Sequence, residues 1–153
     1  MDSMDRAILR QLQTDGRLPN AALAERVHLS PSPCLRRLRR LEGDGTIQGY
    51  RAILDRRKIG LGLTAFVEVK VDGQSRRRAD ELEKAVADVD EIIAAYIVAG
   101  DADFMFEVVV SDLAAYERLL LHELLELPGV SNVRTNFTIR TVKEQGPLPL
   151  PSR

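Results

Sequence analysis

Tryptophan is absent from these 153 residues, histidine occurs twice and cysteine once, at Cys34. A single thiol excludes an intrachain disulfide framework and any Cys-rich metal site. The two histidines, His28 and His122, lie too far apart to suggest zinc-ligand spacing, so no metal site is expected. They also fall in different halves of the chain, and no glycine loop suited to cradling phosphate is present, so no catalytic set is expected either. No apolar run reaches membrane-spanning length, and the N-terminal residues are acidic rather than basic and then apolar. The expectation is a cytoplasmic protein with no membrane partner. Net charge is nearly absent too: the formal value of −1 argues, by itself, against a partner made of nucleic acid.

That average hides a split. Residues 1–58 carry 12 Lys+Arg against 7 Asp+Glu, a net of +5, and the remaining residues carry 10 against 16, a net of −6. A basic part suited to a polyanion is followed by an acidic part with another task. With 44% apolar and 29% charged residues, the chain as a whole has the composition of packed globular structure.

Helical spacing governs the first part. Ile8, Leu9 and Leu12 form a stripe that stops at Asp15-Gly16, and Leu23, Ala24 and Val27 form a second, with Asn20 as its expected N-cap. After a short turn at His28-Leu29, Ser30-Pro31 and Ser32-Pro33 each offer a cap followed by a first-turn proline, so a third helix starts at one of them and ends at Asp44-Gly45. At about 100° per residue, Cys34, Leu38 and Leu41 gather on one side of it, which makes Cys34 a buried apolar residue rather than a reactive thiol. Arg36 and Arg40 point the opposite way, flanked by Arg37 and Arg39.

Residues 46–55 read as extended, and Gly60 and Gly62 mark a hinge. Alternation from Leu63 to Val71 predicts a strand, followed by a helix over 78–87, strands over 92–99 and 104–110, a helix over 113–125 and a long strand over 130–142. The order β-α-β-β-α-β is that of the ferredoxin-like split arrangement. The fold class expected is therefore α+β: a helix-turn-helix unit over 1–45, a linking strand and hinge over 46–62, a ferredoxin-like domain over 63–143, and an extended, Pro-rich tail over 144–153 that carries no core. The strands over 92–98 and 105–110 are apolar on both faces, and the helix around Leu119–Leu125 is apolar over more than half its circumference. One small domain cannot bury that much, so an oligomer is expected.

The helix-turn-helix is the strongest signal. A helix entering the major groove needs a tight turn before it and a basic outer face. Ser30, Ser32 and the free backbone N–H groups of the helix N-terminus, which Pro33 helps to shape, can meet phosphate, and Arg36, Arg37, Arg39 and Arg40 would divide between phosphates and base edges, where the guanidinium fork is suited to guanine. Gly100-Asp101-Ala102-Asp103 admits two readings. It is a good hairpin turn. It could also receive a ligand, because glycine lets backbone N–H groups approach a carboxylate while an acidic side chain meets an ammonium group.

The run Asp5-Arg6-Ala7-Ile8-Leu9, then Asp15-Gly16-Arg17, Leu23-Ala24, Leu29-Ser30, Arg36-Arg37, Leu41-Glu42, Gly45-Thr46-Ile47 and Gly49-Tyr50-Arg51-Ala52 resembles the Lrp/AsnC (leucine-responsive, or feast/famine) transcription regulators, as do Gly100-Asp101-Ala102-Asp103, Leu127-Pro128-Gly129-Val130 and the Pro-Leu-Pro-Leu tail. The resemblance implies an N-terminal winged helix-turn-helix, a linking strand that pairs between subunits, and a C-terminal ligand-sensing ferredoxin-like domain. It also implies a nucleoid-associated protein that binds double-stranded DNA, forms homodimers and tetramers of dimers, and responds to an amino-acid effector with no other cofactor. By resemblance the effector pocket at a subunit interface would draw on Gly100, Asp101 and Asp103, faced by Tyr96, Ala99, Leu125, Asn136, Phe137 and Thr138. His28 departs from the family, which often has glycine there; it is either a plain turn residue or a phosphate contact. The rival readings are an effector-independent architectural DNA-binding protein and an enzyme of amino-acid metabolism.

Overall fold

The computed structural model describes residues 1–72, 76–144 and 146–151; Gln145, Ser152 and Arg153 of the expected tail lie outside the described residues. The chain divides into two compact units, Met1–Ile53 with Val142–Arg153, and Leu54–Thr141.

The first unit holds α1 (Ser3–Thr14), α2 (Asn20–Arg26) and α3 (Pro31–Gly43) around a core of Ile8, Leu9, Leu23, Ala24, Val27, Cys34 and Leu41. A capping box opens α1: the Asp2 carboxylate accepts from the Asp5 N–H, and the Asp5 carboxylate accepts from the Asp2 N–H, each at 2.9 Å. The cap of α2 is Pro19 rather than Asn20; the Asn20 side chain donates instead to the Pro31 carbonyl at 2.9 Å and ties the start of α2 to the start of α3. Between these helices the Leu29 N–H bonds the Ala24 carbonyl and the His28 N–H the Glu25 carbonyl, the paired bonds of a Schellman ending with His28 at φ +55°. Of the two possible starts of α3, the chain uses Ser30-Pro31. It ends where Gly45, at φ +77°, lets the Ile47 N–H return to the Leu41 carbonyl.

Residues 46–55 form neither helix nor strand, because no strand among the described residues lies alongside them; Tyr50 holds the segment by donating to Glu42 at 3.0 Å. The tail is extended but, against expectation, contributes to a core. Leu150 packs against the first unit's apolar cluster, and the Gln13 amide bonds both the N–H and the carbonyl of Leu148. Proline fixes the backbone shape here without preventing the intervening leucines from docking.

The second unit is a four-stranded antiparallel sheet in the order β2-β3-β1-β4, built from β1 (Leu63–Val71), β2 (Ile92–Ile97), β3 (Phe104–Val110) and β4 (Val130–Phe137). Helices α4 (Arg76–Ala87) and α5 (Leu113–Leu119) cover one face, where Ala65, Val67, Val69, Phe104, Phe106 and Val108 meet Leu82, Val86, Tyr116 and Leu119. The helix expected over 113–125 is α-helical only to Leu119 and continues as a π-helical turn, Leu120–Leu124. The last strand stops at Phe137 rather than 142: its pairing with β1 runs out at Ala65, with one more bond from the Thr138 N–H to the Thr64 carbonyl, and Ile139 and Val142 beyond it are exposed. On the uncovered face, Arg56 lies over the sheet and bonds Thr64 at 3.2 Å and Glu107 at 2.9 Å. Phe66, Ile93 and Tyr96 remain exposed.

Candidate functional site

The basic helix α3 presents a graded face. Ser30, Ser32, Arg36 and Arg39 are exposed, Pro33 is half-buried, and neither Arg36 nor Arg39 has an ion pair or side-chain hydrogen bond among the described residues. Arg37 and Arg40 behave differently. Arg37 Nη1 sits 2.6 Å from Asp2 Oδ2 and 2.9 Å from Asp5 Oδ1, and Arg40 Nη2 sits 2.6 Å from Asp5 Oδ2. The side chain of Arg37 is 27% exposed, that of Arg40 53%, and that of Asp5 only 1%. Burial pushes the Asp5 carboxyl upward, but the Asp2 N–H and the two guanidinium groups outweigh it and bring it to about 2. The Asp5 N–H and Arg37 hold Asp2 below its ordinary range, and the Asp2 and Asp5 carboxylates raise Arg37. Sequence reasoning missed Asp5. Its signal was there: a carboxylate three and four residues before Ile8 and Leu9 falls on the buried stripe of α1.

The hairpin between β2 and β3 closes with the Val98 N–H on the Asp103 carbonyl at 3.0 Å, and Gly100 takes φ +142°. Asp103 is committed structurally. Its N–H bonds the Val69 carbonyl at 3.0 Å, and its Oδ2 accepts the Val71 N–H at 2.9 Å, so the carboxylate pins the loop to the end of β1. Ala99, Gly100, Asp101 and Asp103 are exposed along this loop. Leu125 is at the same end of the sheet, since the Gly129 carbonyl just after it accepts the Asp72 N–H.

The remaining expected ligand contacts are elsewhere. Asn136, Phe137 and Thr138 lie opposite Phe66, Ala65 and Thr64, six residues back along β1 from Val71 and hence about 20 Å from the loop. Phe137 faces the helices and meets Tyr116 edge-on at 5.0 Å, whereas Asn136 faces the other side and donates to Glu68 at 3.0 Å. Tyr96 shares that uncovered face but sits on the opposite edge strand, three strand spacings or roughly 14 Å from β4. One chain therefore does not gather the expected set into one pocket. A cleft of about 280 Å³ between α4 and the β2–β3 pair includes Tyr96 alone of them, beside Glu83, Ala95, Ile97 and Phe104.

Among the described residues no helix is long and apolar enough to cross a membrane. Residues 1–42 match the AsnC-type helix-turn-helix domain and residues 64–148 the Lrp/AsnC ligand binding domain. The leucine-responsive regulatory protein of Escherichia coli (strain K12) is 40% identical over 153 residues, spanning 100% of this chain and 93% of that protein. A transcriptional regulator from Neisseria meningitidis, solved as its L-Met complex, is 34% identical and superposes with a TM-score of 0.93 over 97% of this chain and 96% of that one. An AsnC family transcriptional regulator from Agrobacterium tumefaciens gives the same identity of 34% and TM-score of 0.93, over 97% of each chain. The two successive domain matches and the full-length relatives agree with the two units of the fold. The chain belongs to the Lrp/AsnC family of transcription regulators, with an AsnC-type helix-turn-helix domain followed by the family's ligand-binding domain.

Proposed function

We propose that this regulator docks α3 in the major groove of double-stranded DNA and that an amino acid, bound where two copies of the chain meet, changes its DNA affinity or assembly. The observation that carries the DNA reading is the exposed row of Ser30, Ser32, Arg36 and Arg39, with Arg40 half-exposed beside it, in a helix that follows a tight Schellman turn. The serines and the first turn of α3 suit phosphate; Arg36 and Arg39 are free to reach either phosphate or base edges.

The separation of the expected effector residues supports a pocket completed by a second copy. Gly100, Asp101 and Asp103 at one end of the sheet and Asn136, Phe137 and Thr138 at the other cannot touch one small ligand within a chain. Apolar groups left exposed on the uncovered face, Phe66, Ile93 and Tyr96, favour a homodimer and then a tetramer of dimers. The Neisseria meningitidis relative, bound to L-Met, makes an amino acid the ligand class to try first.

The test is a thermal-shift screen of the twenty amino acids on the purified protein, followed by DNA binding with and without any hit. A ligand at a hundredfold over its Kd adds about 2.7 kcal/mol to native-state stability, which the screen reads as a raised melting temperature. Expected are a clear shift with one or a few amino acids and altered DNA affinity in their presence. No shift with any of them removes the amino-acid reading and leaves an architectural DNA-binding role.

A further inference from the structure

We propose that Asp5 is a positioning residue for DNA recognition: with Asp2, it withholds Arg37 and Arg40 from the DNA and leaves Arg36 and Arg39 as the reading pair. This rests on α3 being the DNA-facing helix.

The geometry divides the four arginines into two kinds. Both Asp5 oxygens are occupied, Oδ1 by Arg37 and Oδ2 by Arg40 and the Asp2 N–H. The carboxylate is buried, so an unpaired charge there would be costly, and the capping box fixes it to the first turn of α1. Two carboxylates converge on one nitrogen of Arg37, and one holds Arg40 by a single nitrogen. A guanidinium matched to a carboxylate in this way is neutralised in place. It neither releases a counterion on meeting a phosphate nor presents its fork to a base without first breaking that pair. On the helix, Arg37 sits only about 40° from buried Leu41, while Arg36 and Arg39 lie well away from the core side. Arg37, once released, would reach for the flanking phosphate backbone and add affinity for any sequence.

The acids therefore act on discrimination. Each arginine they hold is one fewer sequence-independent contact, so the share of binding that depends on base edges rises. Acidic residues on a DNA-binding unit, ordinarily expected only to weaken binding, here sharpen it.

The test uses the full-length chain and two duplexes, one selected from a randomised pool by the unaltered protein and one with its sequence scrambled, titrated over a range of salt. Expected for Asp5→Asn and, independently, for Asp2→Asn is tighter binding to the scrambled duplex. The plot of log affinity against log salt should steepen by about 0.9 for each phosphate newly reached, and the selected-to-scrambled affinity ratio should fall. Adding Arg37→Met to Asp2→Asn should remove the gain. Asp2 is largely exposed, so its variant keeps the test available if Asp5→Asn does not fold. Weaker binding to both duplexes at unchanged slope overturns the proposal, because loss of structure alone produces that pattern. So does Arg37→Met, in the otherwise unaltered chain, lowering the slope as much as Arg36→Ala. If Arg36→Ala and Arg39→Ala both leave slope and ratio unchanged, the assignment of α3 to DNA falls and takes this proposal with it, an outcome distinct from a failure of the aspartate variants alone.

Discussion

Replacing His28 by glycine should stabilise the first unit. His28 is the one described non-glycine residue with positive φ, at +55°, and it occupies the left-handed position that ends α2. An L residue there carries a strain of about 1–2 kcal/mol. Glycine removes that strain but brings back roughly 0.5–1 kcal/mol through the larger conformational freedom of its unfolded chain. Nothing else is lost, since the His28 side chain is exposed and its two turn-closing bonds, His28 N–H to Glu25 and Leu29 N–H to Ala24, are backbone bonds that glycine keeps. The net gain is about 0.5–1 kcal/mol. Amide hydrogen exchange in the full-length protein reads it where it acts: protection of α2 and α3 should rise roughly two- to fivefold, with the sheet of the second unit unchanged. Unchanged or reduced protection in α2 and α3 would refute the reasoning and mean that the turn is shaped around the imidazole. DNA titration in salt answers the remaining question about this residue. A contact between a phosphate and a positively charged His28 predicts a slope shallower by about 0.9 in the glycine variant, and a plain turn residue predicts none.

Stability of the first unit should also depend on acid. Asp5 has its carboxyl lowered from 3.8 to about 2, so its contribution is fully present above the unfolded value and is lost as pH falls through the folded one. Urea denaturation followed from pH 5 down to about pH 2 should show a decline that Asp5→Asn flattens; an equal decline in both proteins would assign the acid sensitivity elsewhere. Asp103→Ala should cost about 1 kcal/mol, since it strips the acceptor from the Val71 N–H, whereas Asp103→Asn keeps an acceptor oxygen and should stay near the parent in a melting curve. If the Asp103 charge also meets the ammonium group of the effector, the asparagine variant loses the ligand-induced shift while keeping its stability, and retention of that shift refutes the charge contact. Leu150→Ala should lower exchange protection in α1 by about 1–2 kcal/mol, less than a fully buried leucine because Leu150 is only partly covered; unaltered protection would mean the tail's docking adds nothing.

What was legible in the sequence follows the reach of each interaction. The order of helices and strands is carried by local periodicity, and the chain adopts it. The end of β4 was not legible, because Phe137 and Ile139 continue the strand's alternation and β-branched Thr141 and Val142 follow, while the partner β1 has already run out at Leu63. Nor was the true cap of α2, because an Asn beside a Pro looks like a cap whether its amide turns to its own helix or, as here, to Pro31. The division of the arginines could have been read. Arg37 is about 40° from Leu41 on the helix, and Asp5 about 40° from Leu9, so each charge sits at the edge of a buried stripe and calls for the other. The effector residues are the opposite case. Their grouping comes from resemblance, and a single chain holds them at two ends and on two faces of one sheet, so no periodicity within the chain could bring them together.

The two chain connections between the units leave the sheet side by side. The outgoing one passes through Arg56, held on Thr64 and Glu107, into β1; the returning one leaves β4 at Phe137 and runs on through Thr138, whose N–H is bonded to Thr64. Thr64 is thus the shared anchor of both connections, one through its hydroxyl and one through its carbonyl. The returning segment ends in Leu148 and Leu150 on α1, the same helix whose first turn carries Asp2 and Asp5 and so holds Arg37 and Arg40. The tail and the capping carboxylates thus share one helix, α1, where Gln13 holds Leu148 and Asp2 and Asp5 hold Arg37 and Arg40. Sharing a helix does not make a switch; that requires two arrangements of α1 and its contacts that a ligand binds unequally. Residues 46–55, which lie outside helix and strand, and the partly covered segment at Leu150 are where such alternatives cost least, since neither is locked by a sheet ladder among the described residues or by a deep core.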